Sequence, residues 1–297
     1  KAHEINNDDY YDIQRWSGSG EIQKQFNFLN NKIEIETGIG LDLYAINSRP
    51  DSDTNDNRYL DRFSFGAALS ASKEYISRTK NIDMFFEPKI QISNTYATDR
   101  NNSVPNRDSS NYRIDSSNIF FLNQYQGRDN IQTNQKINYG IETFMSSDNF
   151  GEFEFFVGQS QRIGGTENGL IDYYDRQSDF VTDFNWYLTE SFNINHNSLL
   201  DHHNLEANQS NFSLNGTLMN TVFTTSYSSI KSKLLAGNKD REQLSLGLNK
   251  SFDNWKIGYS NSFDLASDNS EKISEEINID YLTDYLFQDC LSINLKY

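Results

Sequence analysis

The side chains best suited to metal binding or nucleophilic chemistry are scarce in this chain: His3, His196, His202, His203 and the lone Cys290. Asp201-His202-His203 sets two imidazoles side by side. Adjacent residues on a strand point to opposite faces, so His202 and His203 would share a metal only from a loop. No Cys or third His stands at recognisable ligand spacing, and the cluster reads as a polar turn. A single Cys also excludes an internal disulfide framework and a Cys-based zinc site. Serine is abundant and histidine rare, so any Ser–His pairing is arbitrary. The chain has no GxSxG elbow, P-loop or GxGxxG fingerprint. Gly164-Gly165 reads as a turn after the strand around Phe153. These residues point to no enzyme and no cofactor.

The elements that would carry such residues are unusual. In 297 residues the hydrophobic share, Tyr included, is 36%, well below the roughly 45–50% of ordinary globular domains. Yet 14% of residues are aromatic, with 21 Phe and 17 Tyr, which a disordered chain would not carry. Acidic residues outnumber basic ones 42 to 26, for a net charge of −16. That excludes a nucleic-acid binder, which needs a cationic face. Only 3 Pro are present, so this is no Pro-rich linker. No run approaches the roughly 20 apolar residues of a membrane-spanning helix. No signal peptide is visible and the first residue is Lys1, as expected of a mature chain or a piece of a longer one.

The dominant periodicity is two. Ile33, Ile35, Thr37, Ile39, Leu41 and Leu43 alternate with Glu34, Glu36, Gly38, Gly40 and Asp42, a pattern that no helix gathers on one face. It returns at Ile82–Phe86, Ile90–Ile92, Phe153–Val157, Leu244–Leu248, Trp255–Tyr259, Ile277–Tyr281 and Leu291–Tyr297. Polar stretches intervene, short at Leu29-Asn30-Asn31 and Phe252-Asp253-Asn254, long at Asn47 to Asp61, Asp99 to Ser117 and Gly164 to Ser178. No helical stripe, internal repeat or domain linker interrupts them.

A soluble β-sandwich and a transmembrane β-barrel both alternate in this way. The barrel also explains the long strands, the low total hydrophobicity and the aromatics at strand ends, where interfacial girdles belong. Phe26, Phe28, Trp186, Tyr187, Trp255, Tyr259 and Tyr297 are such residues. The expected fold is all-β, an antiparallel transmembrane β-barrel or a large C-terminal part of one. At about 18–22 residues per strand and connection, the chain holds about 14–16 strands.

The middle of the chain carries an ordered set of motifs. Val104-Pro105-Asn106-Arg107-Asp108-Ser109 precedes Asp115-Ser116-Ser117-Asn118-Ile119-Phe120. Gly127-Arg128-Asp129, Asn138-Tyr139-Gly140, Gly158-Gln159-Ser160 and Ser178-Asp179-Phe180-Val181 follow. This order resembles the C-terminal barrel of the lipopolysaccharide-assembly outer-membrane proteins, the LptD/OstA family. The motif-bearing part covers roughly residues 100–185 and the last ten. The Gly127 loop departs from the family's "G-x-D-R" by placing Arg before Asp.

The resemblance implies that residues 1–297 are a C-terminal barrel region without the family's N-terminal periplasmic jellyroll. It implies an outer-membrane protein of a Gram-negative bacterium that moves lipopolysaccharide to the outer leaflet without catalysis or cofactor. Implied partners are lipopolysaccharide, outer-membrane lipid, an LptE-like plug lipoprotein and periplasmic bridge proteins. The last strand, with Leu291, Ile293, Leu295 and Tyr297, would be one side of a seam that releases lipid laterally, or simply an ordinary final strand. Cys290 matches the family's C-terminal Cys, which bonds to the N-terminal domain, or is a small buried residue. A general diffusion porin on the same architecture is the alternative expectation, and a soluble β binding protein is a third.

Overall fold

The computed structural model describes residues 11–48, 58–98, 114–125, 127–165, 176–234, 239–252, 254–266, 271–282 and 290–296. They form fifteen strands: β1 (Tyr11–Phe28), β2 (Asn31–Ser48), β3 (Arg58–Ser72), β4 (Tyr75–Arg78), β5 (Ile82–Ala97), β6 (Asn134–Ser147), β7 (Gly151–Gly165), β8 (Phe180–Thr189), β9 (Phe192–Leu200), β10 (Ala207–Leu218), β11 (Thr221–Ile230), β12 (Arg241–Phe252), β13 (Trp255–Asp264), β14 (Glu271–Leu282) and β15 (Cys290–Lys296). Ser232–Leu234 is the one helical turn among the described residues, a 3₁₀ turn. Fourteen strands pair in chain order from β1 to β15, with β4 set aside against β5. No pairing joins β1 to β15 among the described residues. The expected all-β antiparallel sheet and its strand number are both present.

Tight turns hold the hairpins in register. Leu29 (φ 50°) and Asn30 (φ 63°) join β1 to β2, and Met219 (φ 48°) and Asn220 (φ 60°) join β10 to β11. Two successive left-handed residues make the hairpin turn whose twist matches the strands. Two expectations need correction. Gly164 and Gly165 are not a free turn but the end of β7. A Cβ on Gly165 would lie 2.5 Å from the Cα of Asn134, so Gly is there for close backbone approach. The stretch read as a loop to Asp61 is already strand from Arg58.

The chain divides into two compact units, 1–75 with 87–142 and 157–179, and 76–86 with 143–156 and 180–297. In the first, alternation sorts residues in reverse of a soluble protein. Ile39, Leu41, Phe65, Leu69, Ile90 and Ile92 are exposed on one face, while Arg62, Ser70 and Gln91 are buried on the other. Tyr44 and Ile46, packed by Ile13 and Leu60, are a small apolar core on that second face. The second unit repeats the pattern. Leu246, Leu248, Trp255, Ile257 and Tyr259 are exposed, and their neighbours form cross-strand rows of short polar residues. One row pairs Asn185 with Asn195, Asn195 with Ser213, Ser213 with Ser226, Ser226 with Ser245 and Ser245 with Ser262.

An exposed apolar face over a polar one is the arrangement of strands that meet lipid on one side. Ile39→Arg places a charge on the apolar face and should cost about 2–4 kcal/mol, whereas Gln23→Arg on the polar face should cost under about 1 kcal/mol. Gly40, though on the polar face, is a poor control, because its Cβ would lie 2.5 Å from Ser64 Oγ. Urea unfolding in lipid vesicles measures both variants, and equal costs would overturn the assignment of faces.

Candidate functional site

The polar face of the first unit holds the densest side-chain chemistry. Residues 114–125 and 127–133 do not continue the sheet but lie along this face as a strap. The strap starts with a reciprocal turn. Asp115 Oδ1 accepts from the backbone N–H of Ser117 (2.9 Å) and of Asn118 (3.1 Å), and Asn118 Oδ1 accepts from the Asp115 N–H (2.9 Å). This is the local bonding that Asp and Asn favour in turns. It tucks in Ile114 and Ile119, both buried. Tyr125 is buried further along, and loss of water pushes its hydroxyl up to about 12.

Strand side chains grip the strap through its backbone carbonyls. Arg62 on β3 is fully buried. Its Nε and Nη2 donate to Asp42 Oδ2 (3.2 and 2.8 Å), Nη2 also to Tyr44 Oη (2.8 Å), and Nη1 to the carbonyl of Asp129 (2.6 Å). Arg62 Nη2 donates to the Arg128 carbonyl as well. Asp129 is held a second time by its side chain, since Oδ1 accepts from Arg15 Nη1 at 2.7 Å. Lys136 on β6, also fully buried, donates to the Phe121 carbonyl (3.2 Å) and to Gln132 Oε1 (3.0 Å). Gln91 on β5 donates to the Phe120 carbonyl (2.8 Å).

The chain of bonds continues into the remaining motifs. Asn138 Nδ2 donates to Gln91 Oε1 (2.8 Å), and Ser160 Oγ donates to Asn138 Oδ1 (2.5 Å). The Ser160 N–H donates to Ser178 Oγ (2.9 Å), and Gln159 Nε2 to the Ser178 carbonyl (2.9 Å). Asn138, Ser160 and Ser178 are fully buried. A buried polar group left unpaired costs about 1–3 kcal/mol, so this network fixes the strap in one arrangement.

Strap and strands line a half-open cavity of about 760 Å³. Gly38, Gly40 and Gly66 form its floor, Glu21, Glu34 and Glu36 one wall, and Phe121 and Leu122 part of its cover. Lys89 also lines the cavity and lies 4.7 Å from the ring centroid of Phe120. The polar face of the second unit differs. Its central rows are mostly Asn, Ser and Thr, tied by bonds such as Asn211 to Asn197 (2.8 Å) and Ser228 to Asn211 (2.6 Å).

The sequence candidates fall into three groups. Asp129, Gln159 and Ser160 join the buried network, with Gly158 buried beside them. Gly127 (φ 85°) turns the strap, and Arg128 donates to Ser19 Oγ (3.0 Å). Pro105, Asn106, Asp108, Ser109 and Tyr297 lie outside the described residues. Cys290, Leu291, Ile293 and Leu295 belong to β15, paired through the backbone with Leu282, Tyr281, Ile279 and Ile277. His202 and His203 sit in a turn with ring centroids 3.8 Å apart. Among the described residues no three His, Cys, Asp or Glu are grouped to hold a metal.

Sequence reasoning missed Arg62, Lys136, Gln91 and Tyr44 as parts of the site. Arg62 and Lys136 lie outside the alternating runs that mark strands in the sequence, and nothing local marks a charge as buried.

A sequence profile described as LptD: LPS transport system D matches residues 1–267. No curated protein matches the chain.

The buried pair Asp42–Arg62 gives a direct test of the network. Asp42→Leu strands a buried guanidinium and should cost about 3–5 kcal/mol, while adding Arg62→Met to it should restore most of that loss. A double-mutant cycle from unfolding in vesicles measures the coupling, and additive costs would show that the pair does not act as a unit.

Proposed function

The chain belongs to the LptD family, LPS transport system D, and from that premise we propose that it is the C-terminal barrel region of a lipopolysaccharide exporter with lateral release. The family acts in lipopolysaccharide transport and assembly at the outer membrane, a role of transport rather than of catalysis. The observation that carries the proposal for this chain is the reversed sorting of its side chains, apolar outward and polar inward, over strands that the family profile covers.

Lipopolysaccharide joins acyl chains to a sugar-phosphate head, and the two need different solvents. The polar face suits the head. Its central rows in the second unit are rich in hydroxyl and carboxamide groups, which match sugar hydroxyls in donors and acceptors. The acyl chains need a way out to lipid. A seam of weak pairing beside β15 provides one, because only there would a strand part from its neighbour without breaking a continuous ladder. The other side of the seam is the first strand of the complete barrel. In this reading a jellyroll domain upstream receives the lipid from periplasmic bridge proteins, and an LptE-like lipoprotein plugs the lumen. Cys290 is one half of a cross-link to that upstream domain. Non-reducing gel mobility that Cys290→Ser leaves unchanged would refute this last point.

Two outcomes are expected. Depletion should lower lipopolysaccharide at the cell surface, measured by surface labelling, and admit large hydrophobic compounds. Unchanged surface lipid with reduced small-solute uptake would favour a diffusion porin instead. A cysteine pair locking the Cys290–Lys296 strand to the barrel's first strand should stop export while heat-modifiable gel mobility stays native. Export at the normal rate through a locked barrel would rule out lateral release here.

A further inference from the structure

The grip on the strap has an asymmetry. At Arg62, Lys136 and Gln91 the strands supply the donors, and at each the strap supplies a backbone carbonyl: Asp129 and Arg128, Phe121, and Phe120. Such acceptors survive any change of strap sequence, so the hold resides in the strands. Two of the three donors, Arg62 and Lys136, are fully buried side chains, and the charge-assisted bonds of the Arg62 guanidinium are the strong kind. The contact surface is also cut to shape. A Cβ on Gly66 would lie 3.0 Å from Leu122 Cδ1, so the glycine leaves a seat for Leu122. Under that seat runs the cavity with Glu21, Glu34 and Glu36 on its wall.

We propose that Arg62 and Lys136 are a two-point latch that holds residues 114–125 and 127–133 as a releasable strap across the cavity, and that export requires its release. The latch is suited to switching. Its bonds end on three carbonyls and on Gln132 Oε1, acceptors that water also satisfies once the strap lifts. Arg62 keeps partners when it opens, Asp42 and Tyr44, each 2.8 Å away, whereas Lys136 exchanges Phe121 and Gln132 for water. Closed, the strap covers Gly66 and leaves Gly38, Gly40, Glu34 and Glu36 half-buried. Open, it presents them to the lumen. Only the export clause rests on the transport reading. The latch stands on geometry alone.

The test uses the intact protein in lipid vesicles. Arg62→Met with Asp42→Leu removes both charges of the pair and leaves the sheet folded, as heat-modifiable mobility would show. Lys136→Met is the independent second release variant. With Leu122→Cys as reporter, either release should speed labelling by a water-soluble thiol reagent about tenfold, the factor that one charge-assisted hydrogen bond carries. Both should raise conductance in planar bilayers. For the reverse manoeuvre, the Cβ atoms of Gly66→Cys and Leu122→Cys would lie 3.6 Å apart, within the roughly 3.5–4.5 Å of a disulfide. Oxidised, this pair should hold conductance low in every release variant and block surface delivery of lipopolysaccharide; reduction should undo both, and each single Cys is the control. Unchanged labelling in both release variants overturns the latch. Normal delivery through the oxidised pair overturns the requirement for release. A failed depletion test would instead remove the transport reading and leave the labelling and conductance results standing.

Discussion

Lipid offers a peptide group no hydrogen-bond partner, and the rest of this structure follows from that constraint. Each backbone N–H and C=O within the bilayer needs a partner in the protein, which a ladder of antiparallel strands provides. Once the backbone is fixed as strands, side chains have only two destinations, because successive residues point to opposite faces. Ile39, Leu41 and Leu43 face one solvent, Gly40 and Asp42 the other. The composition that looks too polar for a folded protein is what a sheet between lipid and a polar interior requires. One set of residues covers the apolar face and the other builds the interior.

That interior is held by bonds rather than by oil. Among the described residues, Tyr44 and Ile46 with two neighbours form a small apolar cluster, and most of the buried residues of the first unit are polar. Arg62 is the joint. It ties β2 to β3 through Asp42 and ties both to the strap through two carbonyls. A buried ion pair is a poor source of stability by itself. It does select one geometry, because each alternative leaves a charge or a carbonyl unpaired. The family-like motifs make sense in these terms. Asp115 and Asn118 turn the strap inward, Asp129 docks it, and Asn138, Ser160 and Ser178 extend the same network along β6 and β7. They share one structural task, although the sequence spreads them over more than sixty positions.

Period-two alternation made the strands legible, from Ile33–Leu43 to Ile277–Tyr281, because a strand's side-chain geometry is local. The strand number followed from length. The strap was only partly legible. Its motifs were visible by resemblance, yet nothing in Asp115–Phe120 says which way a loop folds. That is decided by Arg62, Lys136 and Gln91, which lie between 15 and 67 positions from the carbonyls they hold. Gly164-Gly165 misled for a similar reason. Two glycines read as a turn, whereas here they let β7 pass close to Asn134. Local rules give an element and its faces. Long-range partners decide which polar residue is buried.

The central claim is that one face of this sheet meets lipid and the other a polar interior. A nitroxide scan through residues 33–43 in lipid vesicles tests it most directly, by comparing collisions with oxygen, which concentrates in the bilayer, and with a water-soluble nickel complex. The account predicts a period of two in the oxygen signal along β2, with maxima at Ile35, Ile39, Leu41 and Leu43 and nickel maxima out of phase with them. Oxygen and nickel rising and falling together, or no period at all, would place both faces in one solvent and contradict the account.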